Sequence, residues 1–311
     1  MGSDRTQTRA ALALFAATVT IALSSVLVRR SYGHGGTPEA VIVLRTGTPA
    51  VLLGILVAID ACRGRLQGAL TRGVLLRLLA LGACVLGGSM GELYSLSRLS
   101  APITILFFAL APLWIALLSR ALYGTRLGQR RATGLVIALT GVTVVVGVPS
   151  GHVDPIGALF AIGGGLAASC SFLLQEGGLA AVPVRLMWAV ALAEATLVSL
   201  ALHPSAPAEL GRHTDVLLMA LGAGLLAGVA QLLASVGVRA VGAIVAGIAT
   251  ALEPVNAAII AWLVLGETVG VGVIAGGVIV LAGVLLTLTA PPLVRGRHAT
   301  AVPIAPAVIE N

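Results

Sequence analysis

Residues 109–112 read Ala-Leu-Ala-Pro, and residues 251–254 read Ala-Leu-Glu-Pro. The offset of 142 persists downstream, where Gly124, Gly128, Gly134 and Gly141 recur as Gly266, Gly270, Gly276 and Gly283. Between 98–147 and 240–289, 13 of 50 aligned positions are identical, more than so apolar and Gly/Ala-rich a composition gives by chance. The chain therefore reads as two related halves, and a repeat of this kind governs every later fold decision.

Composition sets the class. Of 311 residues, 58% are hydrophobic and 10% charged, where a soluble domain carries about 25% charged residues. Uncharged stretches of about 20 residues recur, long enough to cross a hydrocarbon core of roughly 30 Å as helix. Backbone polar groups have no water partners there, so helices must satisfy them internally. The fold class is an all-α membrane protein, with spans expected near 10–28, 40–59, 78–97, 99–119, 132–149, 156–175, 186–202, 216–238, 241–265 and 268–290. Turn residues mark the breaks at Gly33 to Pro38, Pro149 to Pro155, Ala181 to Pro183 and His203 to Pro207. Residues 10–149 form one five-helix unit, 156–290 the second, and 291–311 a cytoplasmic tail without expected order.

The net charge of +7 comes entirely from arginine, with no lysine in the chain. The arginines sit in short loops between apolar runs, without interleaved aromatics, so they read as topology signals and not as a nucleic-acid surface. With the N-terminus in the cytoplasm, 14 arginines fall on the cytoplasmic side, four (Arg29, Arg30, Arg98 and Arg212) on the other, and Arg45 inside a span. The positive-inside rule thus places both termini in the cytoplasm. Five spans per half force the second half to enter from the opposite side. The loop after span 4 carries four arginines, whereas its partner after span 9 carries none and has Glu267. Opposite charge flanks on related segments imply ten transmembrane helices in two inverted five-helix repeats.

Several other signals read as bland. The first apolar run follows Arg5 and Arg9 but ends in Arg29-Arg30 without a small-x-small site, so it is expected to be a retained helix. Gly2 and Thr6 fit a loose myristoylation pattern, which adds nothing to ten spans. Gly163-Gly164-Gly165 and Gly222-x-Gly224 follow no strand and precede no Lys-Ser/Thr, so close helix packing explains them better than phosphate binding. The histidines fall in loops or the tail, and Cys62, Cys84 and Cys170 lack metal or redox spacing. No metal, cofactor or catalytic residue is expected.

Intramembrane polar residues carry the functional expectation. Glu253 lies mid-span, where a carboxylate costs roughly 2.5–3.5 kcal/mol on insertion scales. Pro254 removes a helix hydrogen bond and exposes the carbonyl of Thr250. Thr250, Glu253 and Asn256 share a face at helical spacing. One reading is a solute or proton site; the other is a structural kink whose Glu bonds a neighbouring helix. Pro112 is the repeat counterpart and Trp114 stands where the second half has Asn256, which suggests an apolar wall facing a polar one or else simple packing. Arg45 and Glu92 fall at similar depth on adjacent spans, as a gate, as a structural pair, or with Arg45 snorkelling to the interface. Glu194 and Gln231 either line a path or cross-link helices. Glu267 reads as a turn or cap residue.

Leu99-Ser100-Ala101 leading into Ala111-Pro112, then Gly124, Gly134 and Gly141, resembles one EamA domain; Glu253-Pro254, Trp262, Gly266-Glu267, Gly276 and Gly283 resemble a second. The chain is similar to the drug/metabolite transporter superfamily over nearly its whole length, and Arg45 fits the usual pattern. The resemblance implies a secondary transporter that exports small amphipathic metabolites such as amino acids across the cell membrane by alternating access, with spans 3, 4, 8 and 9 around a central cavity and a proton gradient as driver. Two departures stand out: Thr125 where the Gly-Glu turn would have Glu, and Ala111 opposite Glu253. The first span also lacks the acid used by the small multidrug-resistance branch. A flippase for a lipid-linked precursor, a multidrug exporter, and a non-transporting scaffold or sensor are the competing readings.

Overall fold

A computed structural model describes residues 2–64, 71–99, 104, 107–124, 127–146, 154–210, 213–265 and 270–290. The described residues contain helices and no strand. They run α1 (Gly2–Gly33), α2 (Pro38–Cys62), α3 (Arg72–Arg98), α4 (Ala111–Tyr123), α5 (Gln129–Val146), α6 (Pro155–Glu176), α7 (Val184–Leu202), α8 (Ala206–Leu210), α9 (Thr214–Val241), α10 (Ala243–Ala249), a 3-10 turn (Thr250–Leu252), α11 (Glu253–Leu265) and α12 (Val271–Leu288). Thr37 caps α2 by accepting from the Ala40 amide, with Pro38 in the first turn. Asp154 caps α6 in the same manner ahead of Pro155.

Among the described residues six helices, α1, α2, α3, α6, α7 and α9, are long and apolar enough to cross a membrane. The other four expected spans correspond to α4, α5, α10 with α11, and α12, which are shorter or interrupted. The short α8 between spans 7 and 8 was not anticipated. The expected spans 4 and 9 are not continuous rods. Backbone turns at Ala109-Leu110 precede α4, and the 3-10 turn separates α10 from α11. Both breaks fall just before a proline of the repeated tetrapeptide, because Pro112 and Pro254 lack the amide that would continue the α-helical ladder.

The packing obeys the repeat. α1 lies against α9, and its counterpart α6 lies against α3; α1 meets α11 as α6 meets α4; α9 meets α2 as α3 meets α7. The self-paired contacts are α2 with α7 and α5 with α12. Both of these pairs run antiparallel. Thr196 donates to Thr46 at 3.0 Å near one end of α2 and α7, and Arg185 pairs with Asp60 at 3.1 Å near the other. Between α5 and α12, Gly134 faces the Gly283 carbonyl while Gly141 faces the Gly276 carbonyl. A Cβ on Gly141 would sit 2.6 Å from the Val280 amide nitrogen, so only glycine allows this approach.

The glycine runs behave unevenly. Gly164 packs on Gly91 and Phe108, and Gly224 on Leu44 and Thr48, as close packing requires. Gly163 faces open space and has no packing role among its described neighbours. Large apolar side chains such as Val51, Leu159, Leu197 and Leu218 stand exposed on the outside of the bundle, the surface that lipid would cover.

Candidate functional site

The two broken segments meet in one core. Ile115, three residues after Pro112, packs where a side chain on Gly247 would stand, and Ala109, Ala116, Ala249, Ala251, Leu252 and Val255 share the same buried cluster. The repeat therefore packs α4, which follows the first Ala-Leu-x-Pro break, on α10, which leads into the second.

Local chemistry explains the second break. Gly242 ends α9 with φ of +86°, a conformation open to glycine, and starts α10 at once. The Ala243 amide donates to the Glu176 carboxylate at 3.0 Å, which holds this turn against α6. The Glu253 amide reaches back to the Thr250 carbonyl, closing the 3-10 turn that Pro254 imposes. Thr250 turns its hydroxyl onto the Gly247 carbonyl at 2.6 Å. The first break is held differently: Ser169 of α6 donates to the Ala111 carbonyl, and Ser95 and Thr104 share a 2.9 Å bond.

Glu253 is partly buried and lies within electrostatic reach of both Arg45 and Glu92. Those two form an ion pair at 2.9 Å, with Arg45 only 6% exposed. Arg45 therefore does not reach out to the interface; its guanidinium is held inside. Ser25 of α1 donates to the other oxygen of Glu92 at 3.4 Å. The Tyr32 hydroxyl is buried near the same charges and has no hydrogen-bond partner among the described residues. A narrow cavity of about 30 Å³ runs along Arg45, Thr46, Pro49, Ser89 and Gln231, so Gln231 joins the Arg45 side of the cluster. This cavity lies between α1, α2, α3, α7 and α9. The charged cluster thus holds two acids, Glu92 and Glu253, and one base, Arg45.

The remaining expected residues separate from this cluster in different degrees. Asn256 is buried and donates to Thr18 of α1 at 2.9 Å, a helix-to-helix bond. Thr250 lies in the 3-10 turn, so the expected regular helical face of Thr250, Glu253 and Asn256 is interrupted. Pro112 is buried, whereas Trp114 is partly exposed with an unpartnered buried indole nitrogen among the described groups. Glu194 points at the backbone of Gly82 on α3, and its Oε2 is buried without a partner there. Glu267 and Thr125 lie outside the described residues, as do the side chain of Trp262 and the 291–311 tail.

Sequence reasoning missed four arrangements. Ser25 and Tyr32 carry no local signal and join the site only through the docking of α1. Gln175, Ser235 and Trp188 form a buried network in which Trp188 donates to Ser235 at 2.7 Å and Ser235 to Gln175 at 2.7 Å. The Arg-rich end is clamped by Arg77 and Arg239, which donate to carbonyls of Gly178, Leu179 and Val182 in the loop after α6. At the opposite end, His34, His213, Thr214 and Asp215, none of them an expected site residue, border an open groove of about 410 Å³. Among the described residues, no group of three or more His, Cys, Asp or Glu side chains is arranged to hold a metal ion.

A family model described as the EamA-like transporter family matches residues 8–147 and again 155–289. No curated protein sequence matches the chain. Among the solved structures that match, one described only as a crystal structure of a protein superposes with a TM-score of 0.70 at 19% identity, over 90% of this chain and 96% of its own. At that identity the likeness concerns the fold alone.

Proposed function

From the premise that this chain belongs to the EamA-like transporter family, we propose that it is a proton-coupled secondary transporter that exports small amphipathic metabolites such as amino acids. Two matched domains spanning nearly the whole chain make it a transporter-like, multi-pass membrane protein. The finer reading rests on one observation: both repeats break at Ala-Leu-x-Pro, the helix after the first break packs on the half-helix that leads into the second, and only the second carries an acid, Glu253, within electrostatic reach of the Arg45–Glu92 pair.

Ten spans in two inverted repeats fit the antiparallel packing of the equivalent helices α2 and α7, and of α5 and α12. Such repeats carry alternating access, with the site where the broken helices meet. The charge balance supplies the coupling. Arg45 neutralises Glu92, which leaves Glu253 as one uncompensated charge when ionised. An unpaired carboxylate within the membrane is costly. A proton or the ammonium group of a solute relieves that cost, and competition between the two for Glu253 exchanges one for the other. Trp114 and the apolar core around Ile115 offer the surface for the solute's hydrocarbon part, as mixed apolar and polar pockets do. The arginine-rich flanks support a reading with both termini on the cytoplasmic side of the cell membrane.

The test is a melting screen of the purified protein against amino acids, nucleosides, sugars and organic cations, followed by counterflow of each stabilising solute in liposomes. Stabilisation and counterflow by an amino acid support the reading. Stabilisation by lipid-linked or bulky cationic compounds alone overturns it in favour of a flippase or drug exporter.

A further inference from the structure

The three cysteines lie far apart in sequence, but two of them meet in space. α3 belongs to the first repeat and α6 to the second, and they pack as a tight antiparallel pair. A Cβ on Gly91 would overlap the backbone of Gly164; one turn along, Gly87 lies 3.3 Å from Ala167 by the same measure, and Gly88 lies against Ala168. One further turn in this register sets Cys84 opposite Cys170. The two thiols are within interaction range of each other. Small residues at three successive contacts keep the backbones close, the condition a disulfide needs, with Cα atoms about 4.4–6.8 Å apart. Both cysteines are partly exposed, not sealed in a core, so a membrane-permeant reagent can reach them.

We propose that Cys84 and Cys170 are a redox-sensitive dithiol whose disulfide ties the first half of the protein to the second. The reaction joins the two sulfurs, and the two thiol protons and two electrons pass to a two-electron oxidant of the azodicarboxamide class, which becomes the hydrazine. A dithiol reductant reverses it. The symmetry-related interface, α1 against α9, carries no cysteine and instead places Ser24 on the Ala223 carbonyl at 2.8 Å. The bond therefore fixes one of two equivalent sliding surfaces. Resting on the alternating-access reading above, it holds the transporter in one state.

The full chain in liposomes is treated with diamide, digested without reduction and analysed by mass spectrometry. A Cys84–Cys170 linked peptide is expected in the parent protein and in Cys62→Ser, lost in Cys84→Ser and Cys170→Ser, and lost on adding dithiothreitol. Diamide is also expected to raise the melting temperature by several degrees only when both cysteines are present. Uptake of the stabilising solute should then fall at least fivefold and recover on reduction. Absence of the linked peptide, or a peptide dominated by Cys62, overturns the proposal; a linked peptide with unchanged uptake overturns the locking. Cross-link and melting shift are read without any solute, so silent uptake in the reduced protein sinks the transporter reading and not the disulfide.

Discussion

The two Ala-Leu-x-Pro breaks share a sequence, a proline and a place in the fold, yet they are built from different chemistry. At the first, Ala111 leaves the turn apolar, and its carbonyl accepts from the Ser169 hydroxyl. At the second, Glu253 occupies the matching position within electrostatic reach of Arg45 and Glu92, and Asn256 ties the same helix to Thr18 of α1. Trp114 stands on one side where Asn256 stands on the other. Two matched domains supply two breaks, one apolar and one carrying an acid. An inverted repeat needs similar backbones to exchange conformations, but it needs a difference in side chains to bind a solute in one orientation.

That contrast can be attacked in order of expected effect. Arg45→Ala should be the costliest change, because it strands Glu92 without its cation, a loss of about 3 kcal/mol when one member of a buried pair is removed. The double variant Arg45→Ala/Glu92→Gln should recover much of the melting temperature. Ser169→Ala, the corresponding support of the first break, should cost only about 1 kcal/mol by the same melts. Equal losses would erase the electrostatic distinction between the halves.

Next come the prolines. Pro254→Ala restores an amide that can bond the Thr250 carbonyl and straighten the second break. It should lower uptake about tenfold while leaving the melting temperature unchanged or raised. Pro112→Ala should lower uptake less, since no charged group rides on that turn. A smaller effect follows from Asn256→Leu. It removes the 2.9 Å bond to Thr18 and should cost about 1 kcal/mol, with uptake largely kept if the residue joins helices and does not touch solute.

The smallest effect lies outside the membrane. Asp154 caps α6 and faces Arg98 at 3.3 Å; the Ile156 amide above all, with Arg98 in support, holds its carboxyl below the ordinary Asp range. A depressed folded value means the cap stabilises above the unfolded pKa of about 3.9 and is lost as pH falls through the lower folded value. The small melting advantage over Asp154→Asn should therefore hold from neutral pH to about 5 and vanish in stronger acid. An advantage that grows on acidification would reverse the assignment.

Much of this was legible from the chain. The 142-residue echo located both breaks, because a proline two residues after a shared Ala-Leu leaves the backbone few choices. Arg45 and Glu92 could be paired from depth along adjacent antiparallel spans, and they do pair. Less readable was anything that depends on which helices touch across the repeat. Nothing in the sequence places α3 against α6, so Cys84 and Cys170 looked scattered. Ser25 and Tyr32 enter the charged cluster only because α1 docks beside it. Asn256 looked like a cavity residue from its helical offset to Glu253. That offset is kept within α11, but a threonine 238 positions away takes the amide.

Glu253→Gln in liposomes under an imposed pH gradient tests the central claim most directly. The substitution keeps size and hydrogen bonding and removes only the exchangeable charge. The account predicts a protein that melts as the parent does and still exchanges solute by counterflow, but no longer accumulates it with the gradient, while Ala111→Gln in the first break retains gradient-driven uptake. Gradient-driven uptake by Glu253→Gln at the parental rate would contradict it.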